Sequence, residues 1–565
     1  MTLFFNRTLK NSILEPYRSI CIYLIFLTVC FFTYKNSLYN GFLMDDYPMV
    51  IKNPLIGTLS FLQLDFNTQH SQVYFRPVIH FFNLITYILF EENPLGYHLF
   101  SIGLFYLGGV FLYRLLKSFF ECQKTAALTT LFFYMHPING IVVNYKNAVG
   151  YAFLILAVIL SLTKFLNAFE NRENVVGDSF LGGIWFVLAL LCHETVIIFP
   201  LYLITVLIFV KKVNLKRAIR GAVPAGVISV FYLIFRMYYS SLNESVIQNI
   251  TSYNLTIFSY SASFCKLMFW YFSKLFFLQG IVLAWDAPPV ENVFLWNTVF
   301  VLFILGISFF FYRFSGRFRR ESLALSWILI GFIPVTLACF SRPKLGFVIQ
   351  PHWLFFSSIG YFLLLASLFS RLYKHVHKIL WWGTLVSLLS FYMMNAHYYN
   401  YLWGDQKRYC QKWLVISPHN YWPNYWLGYA YLEEKEYAKA KRYFLKIAGR
   451  GLKLAEVLGN LGIIEKNLGS LDLAMQYFRQ SLKQNISYAD TYYYMGDIYF
   501  TKGLFKDAEK MFNEAIRRDR YLYDSWEKLA KIYRKQGRSE DEQAVYKEMK
   551  LIFPEEKLQK FFISK

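Results

Sequence analysis

Long runs of apolar residues alternate with short polar stretches through the first two-thirds of the chain. The runs are apolar on every side of a helix, which is typical of helices surrounded by lipid. The first run extends from Ile20 to Tyr34. Further candidate spans lie at roughly 97–115, 125–140, 147–165, 179–195, 197–211, 217–236, 292–312, 321–340, 352–370 and 378–395. The pattern therefore predicts about eleven transmembrane helices.

Basic residues mark every second loop between these runs. Lysine and arginine are enriched in cytoplasmic loops, so the alternation assigns these loops and the N-terminus to the cytoplasm. It holds only if the apolar stretches near 77–91 and 258–279 lie along the outer face, or re-enter it, instead of crossing. The last third of the chain then lies on the outer side. The basic loop residues are Arg114, Lys117, Lys124, Lys164, Arg172, Lys211, Lys212, Lys216, Arg217, Arg220, Arg313, Arg317, Arg319, Arg320, Arg371, Lys374, His375 and Lys378.

The last third of the chain is charged and repetitive. A large apolar residue followed by a small one recurs every 34 residues, at Leu427-Gly428, Leu461-Gly462, Met495-Gly496 and Leu529-Ala530. In the first three copies an alanine and then a phenylalanine follow at fixed spacing, at Ala440, Ala474, Ala508, Phe444, Phe478 and Phe512. Small residues where two helices touch, with aromatic residues between them, are typical of tetratricopeptide repeats. We predict repeats near 421–454, 455–488, 489–522 and 523–556.

Two all-α domains follow from these patterns. Residues 1–396 are predicted to form a membrane domain of transmembrane helices, with surface helices in its outer loops. Residues 397–565 are predicted to form an α-solenoid of tetratricopeptide repeats, whose concave face is suited to a protein partner.

The composition agrees with a multi-pass membrane protein. The 565 residues are 56% hydrophobic and 20% aromatic, and the mean hydropathy is +0.33, which excludes a soluble protein of this size. The net charge of +22 does not indicate nucleic-acid binding, because the basic residues between the apolar runs act as topology signals. The seven cysteines are scattered singly, so neither a disulfide framework nor a zinc site is indicated.

Two adjacent carboxylates, Asp45 and Asp46, follow the first apolar run directly. Such a pair at a membrane surface is unfavourable unless each charge is solvated or partnered. One interpretation is that both lie in a solvated loop and cap the next helix. The other is that one of them is a general base.

Further polar residues fall at the predicted outer ends of the spans. They are Arg76, His98, His136, Lys146, His193, Glu194 and His352. Each one by itself is typical of a helix-end anchor. Together they collect carboxylates, imidazoles and cations on one side of the membrane, which suits transfer from a membrane-anchored phosphate donor. A carboxylate would take the proton of an acceptor hydroxyl, and cations would stabilise the leaving phosphate.

The order of these motifs resembles a known family. The motifs are Asn40-Gly41-Phe42, Asp45-Asp46, Asn53-Pro54, Tyr74 to Pro77, Asn93 to His98, His136-Pro137, His193-Glu194 and His352 to Gly360. In combination they resemble the GT-C superfamily of integral-membrane glycosyltransferases. The resemblance is greatest to the transmembrane O-mannosyltransferases with C-terminal tetratricopeptide repeats and their bacterial relatives, and it covers essentially the whole chain.

The resemblance implies transfer of a sugar, mannose or another hexose, from a polyprenyl-phosphate carrier to a hydroxyl on the lumenal or periplasmic side. It implies Asp45 as the catalytic base, with Asp46 orienting the acceptor. Arg76, Lys146 and His352 are candidates for the carrier phosphate. His136, His193 and Glu194 are candidates for binding or positioning the donor.

The resemblance also implies a protein acceptor or partner at the repeats. The membrane would be the bacterial inner membrane or that of the endoplasmic reticulum. Apart from the lipid-linked sugar substrate, no cofactor is expected with certainty. The carboxylates are compatible with a divalent cation, but no ligand spacing for a metal is present.

Three positions depart from the family pattern and keep other functions open. Ile141, Val149 and Pro351 stand where the family usually has polar residues. One alternative is a transferase that acts on a lipid or a cell-surface glycan. The other is a non-catalytic, membrane-anchored tetratricopeptide scaffold.

Overall fold

The computed structural model describes residues 2–51, 53, 55–56, 59, 61–62, 75–120, 122–170, 173–239, 256–287, 290–338, 347–449, 454–553 and 558. Some positions named above lie outside the described residues. They are Pro54 and Tyr74 of the motifs, Arg172 of the basic loops, the end of the predicted span 321–340 and the end of the last predicted repeat.

The part of the chain that was predicted to be membrane-embedded is helical. Its helices are α1 Thr2–Tyr34, α2 Pro77–Phe90, α3 Pro94–Phe120, α4 Gln123–Met135, α5 Ile141–Asn144, α6 Val149–Glu170, α7 Val175–Leu190, α8 Phe199–Phe209, α9 Leu215–Tyr239, α10 Ile257–Phe276, α11 Val293–Phe314, α12 Arg319–Ala338, α13 Phe355–Leu372 and α14 Lys378–Trp403. Two short strands, β1 Trp285–Ala287 and β2 Phe347–Ile349, pair antiparallel. Each predicted span coincides with a helix, so the predicted helical fold of this region is confirmed, with one small two-stranded sheet added.

Seven helical segments in the described residues are long and apolar enough to cross a membrane. They are Arg18–Tyr39, Pro94–Phe120, Lys146–Glu170, Leu215–Tyr238, Val293–Phe314, Pro351–Leu372 and Lys378–Trp403. An eighth would be the pair α4 and Pro137–Asn144, bent by 59°, where Pro137 lacks the N–H that would continue the first helix. Helices α2 and α7 are shorter apolar helices, and the 14 residues of α2 fall short of a perpendicular crossing.

The chain packs as two compact units. The first contains residues 1–42, 73–82 and 89–404, and the second contains 43–72, 83–88 and 405–565. Helix α14 continues to Trp403, past the predicted boundary at 396. The first loop, with Asp45 and Asp46, therefore packs in the same unit as the C-terminal repeats.

We call the first unit, residues 1–42, 73–82 and 89–404, the membrane unit, and the second the C-terminal unit. Glycines allow close helix packing inside the membrane unit. A Cβ atom on Gly109 of α3 would lie 2.2 Å from the Tyr134 hydroxyl of α4, which itself donates to the Tyr106 carbonyl at 2.6 Å. A Cβ atom on Gly360 of α13 would lie 2.5 Å from the Ala324 carbonyl of α12. Small residues at such crossings let helix backbones approach each other, which is the usual packing device in membranes.

The C-terminal unit contains the predicted helix pairs. After α15 Gln406–Ile416, its helices are α16 Tyr421–Glu433, α17 Tyr437–Ala448, α18 Ala455–Asn467, α19 Leu471–Gln484, α20 Ala489–Thr501, α21 Phe505–Arg518, α22 Tyr523–Lys535 and α23 Ser539–Ile552. A Cβ atom on Gly462 would lie 2.5 Å from the Phe478 ring. The contact explains why a small residue and a phenylalanine recur together.

Glycines also form the turns inside three of the helix pairs. Gly469, Gly503 and Gly537 have φ angles of +83°, +75° and +71°, a left-handed conformation that glycine adopts at little cost. The predicted tetratricopeptide architecture is confirmed.

Candidate functional site

Arg76 and Glu194 form a two-pronged ion pair in the membrane unit. The Arg76 Nη2 atom donates to Glu194 Oε1 at 2.8 Å, and Nε donates to Oε2 at 3.3 Å. Arg76 stands immediately before α2, and Glu194 opens the 3-10 turn Glu194–Ile198 after α7. The Val78 N–H donates to the Leu191 carbonyl at 3.4 Å, which joins the two segments beside the ion pair.

His193 contacts the same guanidinium from the other side. Its Nε2 atom lies 2.8 Å from Arg76 Nη2. Because a guanidinium can only donate, Nε2 is the acceptor of this bond. Nδ1 faces Thr195, accepting from its backbone N–H at 3.2 Å and lying 3.0 Å from its hydroxyl oxygen. Arg76 is therefore oriented by one carboxylate and one imidazole.

Tyr151 connects this pair to His352. The Tyr151 ring centroid lies 4.8 Å from that of His193 and 4.9 Å from that of His352. Among the described residues, no hydrogen-bond partner reaches the buried Nδ1 atom of His352. A cavity of about 10 Å³ lies beside it, lined by residues that include Tyr151, Thr195 and His352. The cavity is about large enough to hold one water molecule. A buried polar atom without a partner is a place where a ligand group can bond.

We define this group, Arg76, Tyr151, His193, Glu194 and His352, as the arginine cluster. It contains four of the residues that the sequence singled out. Tyr151 was missed, because an aromatic residue inside an apolar run carries no signal of its own.

Lys146 lies elsewhere in the membrane unit. Its side chain is 2% exposed, its Nζ atom donates to the Tyr97 carbonyl at 3.1 Å, and it stands 4.3 Å from the Tyr97 ring centroid. The neighbouring His98 has Nδ1 3.0 Å from the Val143 carbonyl and Nε2 3.2 Å from the Asn40 carbonyl. These contacts hold a buried cation and an imidazole against backbone.

His136 uses both ring nitrogens inside the fold. Nδ1 accepts from the Ile138 N–H at 3.2 Å, and Nε2 lies 3.2 Å from the Leu275 carbonyl. The ring is fully buried and faces Tyr392 at 4.7 Å between centroids. These contacts cap the turn that follows α4, and a role of His136 in donor binding remains a prediction.

The two carboxylates of the first loop differ in burial and in their contacts. Asp46 is 1% exposed, its Oδ2 atom accepts from the Leu43 N–H at 3.1 Å, and its own N–H donates to the Leu43 carbonyl at 2.9 Å. Between them Met44 has a φ angle of +52°, and its N–H donates to Gln406 Oε1 at 2.9 Å. Asp46 therefore closes a turn, while Asp45 is half-buried.

An asparagine network, which the sequence did not reveal, holds the residues just before this loop. The Asn400 amide donates to the Thr33 carbonyl and to Asn36 Oδ1, both at 2.9 Å. Asn144 donates to Asn400 Oδ1 at 2.7 Å, and Asn40 donates to Asn144 Oδ1 at 3.1 Å. Asn400 inside the apolar helix α14 was the available signal, because a buried amide needs partners.

The three departures from the family pattern are apolar in structure as well. Ile141 and Val149 are 6% and 1% exposed, and Pro351 opens a buried 3-10 turn with His352. No group of three or more His, Cys, Asp or Glu side chains is placed to hold a metal ion within the described part of the chain.

Comparison with known proteins identifies named relatives. Protein O-mannosyl-transferase TMTC3 of Homo sapiens is 24% identical over 470 residues, which cover 74% of this chain and 50% of the human protein. TMTC3 of Mus musculus is 23% identical over 463 residues, covering 73% and 49%. Protein O-mannosyl-transferase F38B6.6 of Caenorhabditis elegans is 24% identical over 392 residues, covering 62% and 52%. The chain spans about half the length of these curated relatives.

The repeats also match known sequences. The tetratricopeptide repeat model matches residues 423–449, 455–485 and 489–521. Two crystal structures of MamA are 20% identical with a TM-score of 0.23, covering 25% of this chain and 83% and 78% of theirs. The named relatives and the repeat match confirm the resemblance to O-mannosyltransferases that carry tetratricopeptide repeats.

Proposed function

We propose that this protein is a polyprenyl-phosphate-sugar-dependent membrane glycosyltransferase of the GT-C type. It transfers mannose or another hexose to serine or threonine hydroxyls of a protein. The names of the relatives support the reaction class. The observation that carries the proposal is the arginine cluster, which collects a cation, a carboxylate and two imidazoles from segments far apart in the sequence.

The chemistry divides between a base and a phosphate-binding cation. The acceptor hydroxyl oxygen attacks the anomeric carbon of the donor sugar, and its proton passes to the Asp45 carboxylate. The bond from that carbon to the phosphate oxygen breaks, and its electron pair leaves with the carrier phosphate. Arg76 stabilises the phosphate through the positive charge of its guanidinium.

The remaining candidates position these two groups. Glu194 and His193 hold the Arg76 fork in one orientation, which reduces the ordering that the transition state would otherwise require. His352 offers a buried ring nitrogen to the donor, and Lys146 adds a positive charge. Asp46 sets the turn that presents Asp45.

The site is proposed to face the periplasm or the endoplasmic reticulum lumen, with the N-terminus in the cytoplasm. The alternating basic loops support this orientation. The repeats then lie on the same side as the acceptor proteins. No nucleic acid takes part, and a divalent cation is not required by the proposed step.

A scaffold function without catalysis is the second candidate. The burial of Ile141 and Val149 among apolar side chains favours it, because neither position supplies the polar group usual in the family. Retained membrane packing with intact repeats would be sufficient for a scaffold.

A transfer assay separates the two candidates. The purified full-length protein is incubated with a dolichyl- or undecaprenyl-phosphate hexose and peptides that contain serine and threonine, and the products are identified by mass spectrometry. Asp45→Asn is expected to abolish hexose transfer without changing membrane insertion. Asp472→Asn, at a carboxylate with 97% side-chain exposure, is the matched control and should be active. If the unmodified protein transfers no mannose and no other hexose from either carrier, the proposal is contradicted.

A further inference from the structure

A groove of about 530 Å³ runs across the first helices of three successive repeats. This volume falls within the range of ligand sites, about 300–1,000 Å³. Helices α16, α18 and α20 form its walls. The lining residues on which the argument rests are Tyr425, Tyr429, Glu433, Tyr488, Asp490 and Tyr494. We call it the repeat groove.

Tyrosine dominates the walls of the repeat groove. Tyr425 stacks on Tyr421 at 5.5 Å between centroids, and Tyr494 stacks on Phe478 at 6.0 Å. Their rings are thus fixed before any ligand binds, which lowers the entropy cost of binding. Aromatic faces attract cations, and phenol hydroxyls can hydrogen-bond to a main chain. Walls of this kind are suited to an extended peptide that carries positive charge.

The charges of the repeat groove are mostly negative. Glu433 and Asp490 line it, and Lys435 is the one basic side chain among its described lining residues. Burial, together with the charges of Asp519 and Asp524, raises the pKa of the Asp490 carboxyl to about 6. The Asp519 and Asp524 charges, together with Glu433 and Asp490 in the lining, make the potential here negative, which favours a cationic ligand.

The pKa values of two tyrosines in the groove are shifted by the same negative charges. Burial, followed by nearby carboxylates that include Asp490, raises the pKa of Tyr488 and of Tyr494. Three carboxylates, Glu433, Asp490 and Asp524, act on Tyr494. They come from different repeats, so the potential extends along the repeat groove.

Asp45 lies near enough to the repeat groove for its charge to act on one of the lining tyrosines. Burial raises the pKa of Tyr425, and the charges of Glu456 and Asp45 raise it further. Tyr425 lines the groove, and Asp45 belongs to the same compact unit. The first loop thus brings the proposed base near the repeat groove.

We propose that the repeat groove binds an extended, lysine- or arginine-containing segment of the acceptor protein and directs a neighbouring serine or threonine hydroxyl to Asp45. Asp45 and the groove belong to the same compact unit. The delivery step rests on the proposed function, whereas the binding step does not.

Peptide binding tests the first step without the sugar donor. Full-length protein in lipid nanodiscs is titrated with a fluorescent serine- and threonine-containing peptide bearing four arginines. A second peptide carries glutamate at those four positions. Fluorescence anisotropy at low salt is expected to show at least about fivefold tighter binding of the arginine peptide, and Asp490→Lys is expected to remove this difference.

Matched variants protect the test against unfolding. Asp490→Asn removes one charge at nearly constant shape and should weaken binding of the arginine peptide by about two- to fivefold. Asp472→Asn is equally conservative but lies at an exposed position, so it should leave binding unchanged. Equal affinity for both peptides, or an unchanged affinity in the folded Asp490→Lys protein, overturns the proposal.

Turnover kinetics test the delivery step. With the sugar donor present, Asp490→Lys is expected to raise KM for the arginine peptide at nearly constant kcat, whereas Asp45→Asn should abolish kcat and keep peptide affinity. Charge-dependent binding without any hexose transfer refutes the proposed function and leaves the groove as a peptide site. Transfer with no charge preference refutes the groove assignment alone.

Discussion

Arg76 and Glu194 are 118 residues apart in the chain, yet the guanidinium and the carboxylate meet in paired hydrogen bonds of 2.8 and 3.3 Å. The Arg76 side chain is 20% exposed and that of Glu194 is 38% exposed. A pair with this access to water contributes modestly to stability. Its geometry is better explained as fixing the direction of the guanidinium, which His193 also contacts.

Replacing Arg76 should therefore affect transfer more than folding. Arg76→Lys keeps the charge but cannot make the paired bonds, and we expect hexose transfer to fall by about a hundredfold. The free energy of unfolding of the membrane unit should change by only about 1 kcal/mol. The measurement compares transfer rates with detergent thermal melts. Arg217→Lys in the first turn of α9 is the matched control, and equal losses of transfer in the two variants would refute the assignment.

Asn400 should be important for the stability of the membrane unit. Asn400→Ala removes the side-chain bonds to the Thr33 carbonyl, Asn36 and Asn144, and each lost hydrogen bond costs about 0.5–1.5 kcal/mol. Asn395→Ala on the same helix removes only a bond to the Phe391 carbonyl one turn away. Amide hydrogen exchange of α14 should rise strongly in the first variant and little in the second. Equal exchange in both variants would contradict a supporting role of the network.

The turn at Asp46 should distinguish its structural role from that of Asp45. Asp46→Asn keeps an oxygen that can accept from the Leu43 N–H, whereas Asp46→Ala removes it. Loss of such a cap costs about 0.5–2 kcal/mol. We expect Asp46→Asn to retain measurable transfer and Asp46→Ala to lose most of it, because the turn that presents Asp45 loosens. Full activity of Asp46→Ala would show that the turn does not position the base.

The contact between Gly462 and Phe478 should be sensitive to size. Gly462→Ala places a methyl group where the phenyl ring lies, and overpacking of this kind costs about 1–3 kcal/mol. Phe478→Leu shortens the ring side chain, so the double variant should be less destabilised than the sum of the two single changes. Hydrogen exchange of α18 and α19 measures each variant. Strict additivity would mean that the two positions do not touch.

The Asp490 carboxyl should make two properties depend on pH. Its pKa is raised from 3.8 to about 6 by burial and by Asp519 and Asp524, and a bond from Tyr488 acts against this. The folded protein then binds more protons than the unfolded chain between these values. The unfolding free energy of the repeats should therefore fall as pH rises from about 4 to 6.

Binding of an arginine peptide should change in the opposite sense. It should tighten as pH rises through about 6, because Asp490 gains its charge there. Asp490→Asn should flatten both profiles, which thermal melts and anisotropy titrations can measure. A binding profile with the same slope in that variant would assign the titration to another group.

The sequence alone determined the architecture. Membrane spans depend on the local density of apolar residues, so each run could be recognised without knowing its neighbours. The 34-residue repeat could also be recognised from the sequence. Every helix pair packs against the next one by the same contacts, so the same residue types recur at the same spacing. The Gly462 and Phe478 positions were predicted together for that reason.

Only the tertiary structure decided which polar residues form a cluster. His136 and His193 each accept from a backbone N–H two residues further on, but His193 also contacts Arg76. Asp45 and Asp46 are adjacent, yet Asp46 is buried and accepts from the Leu43 N–H, whereas Asp45 is half-buried. Long-range packing brings side chains more than 100 positions apart to within 3 Å, and neither local composition nor period encodes such a meeting.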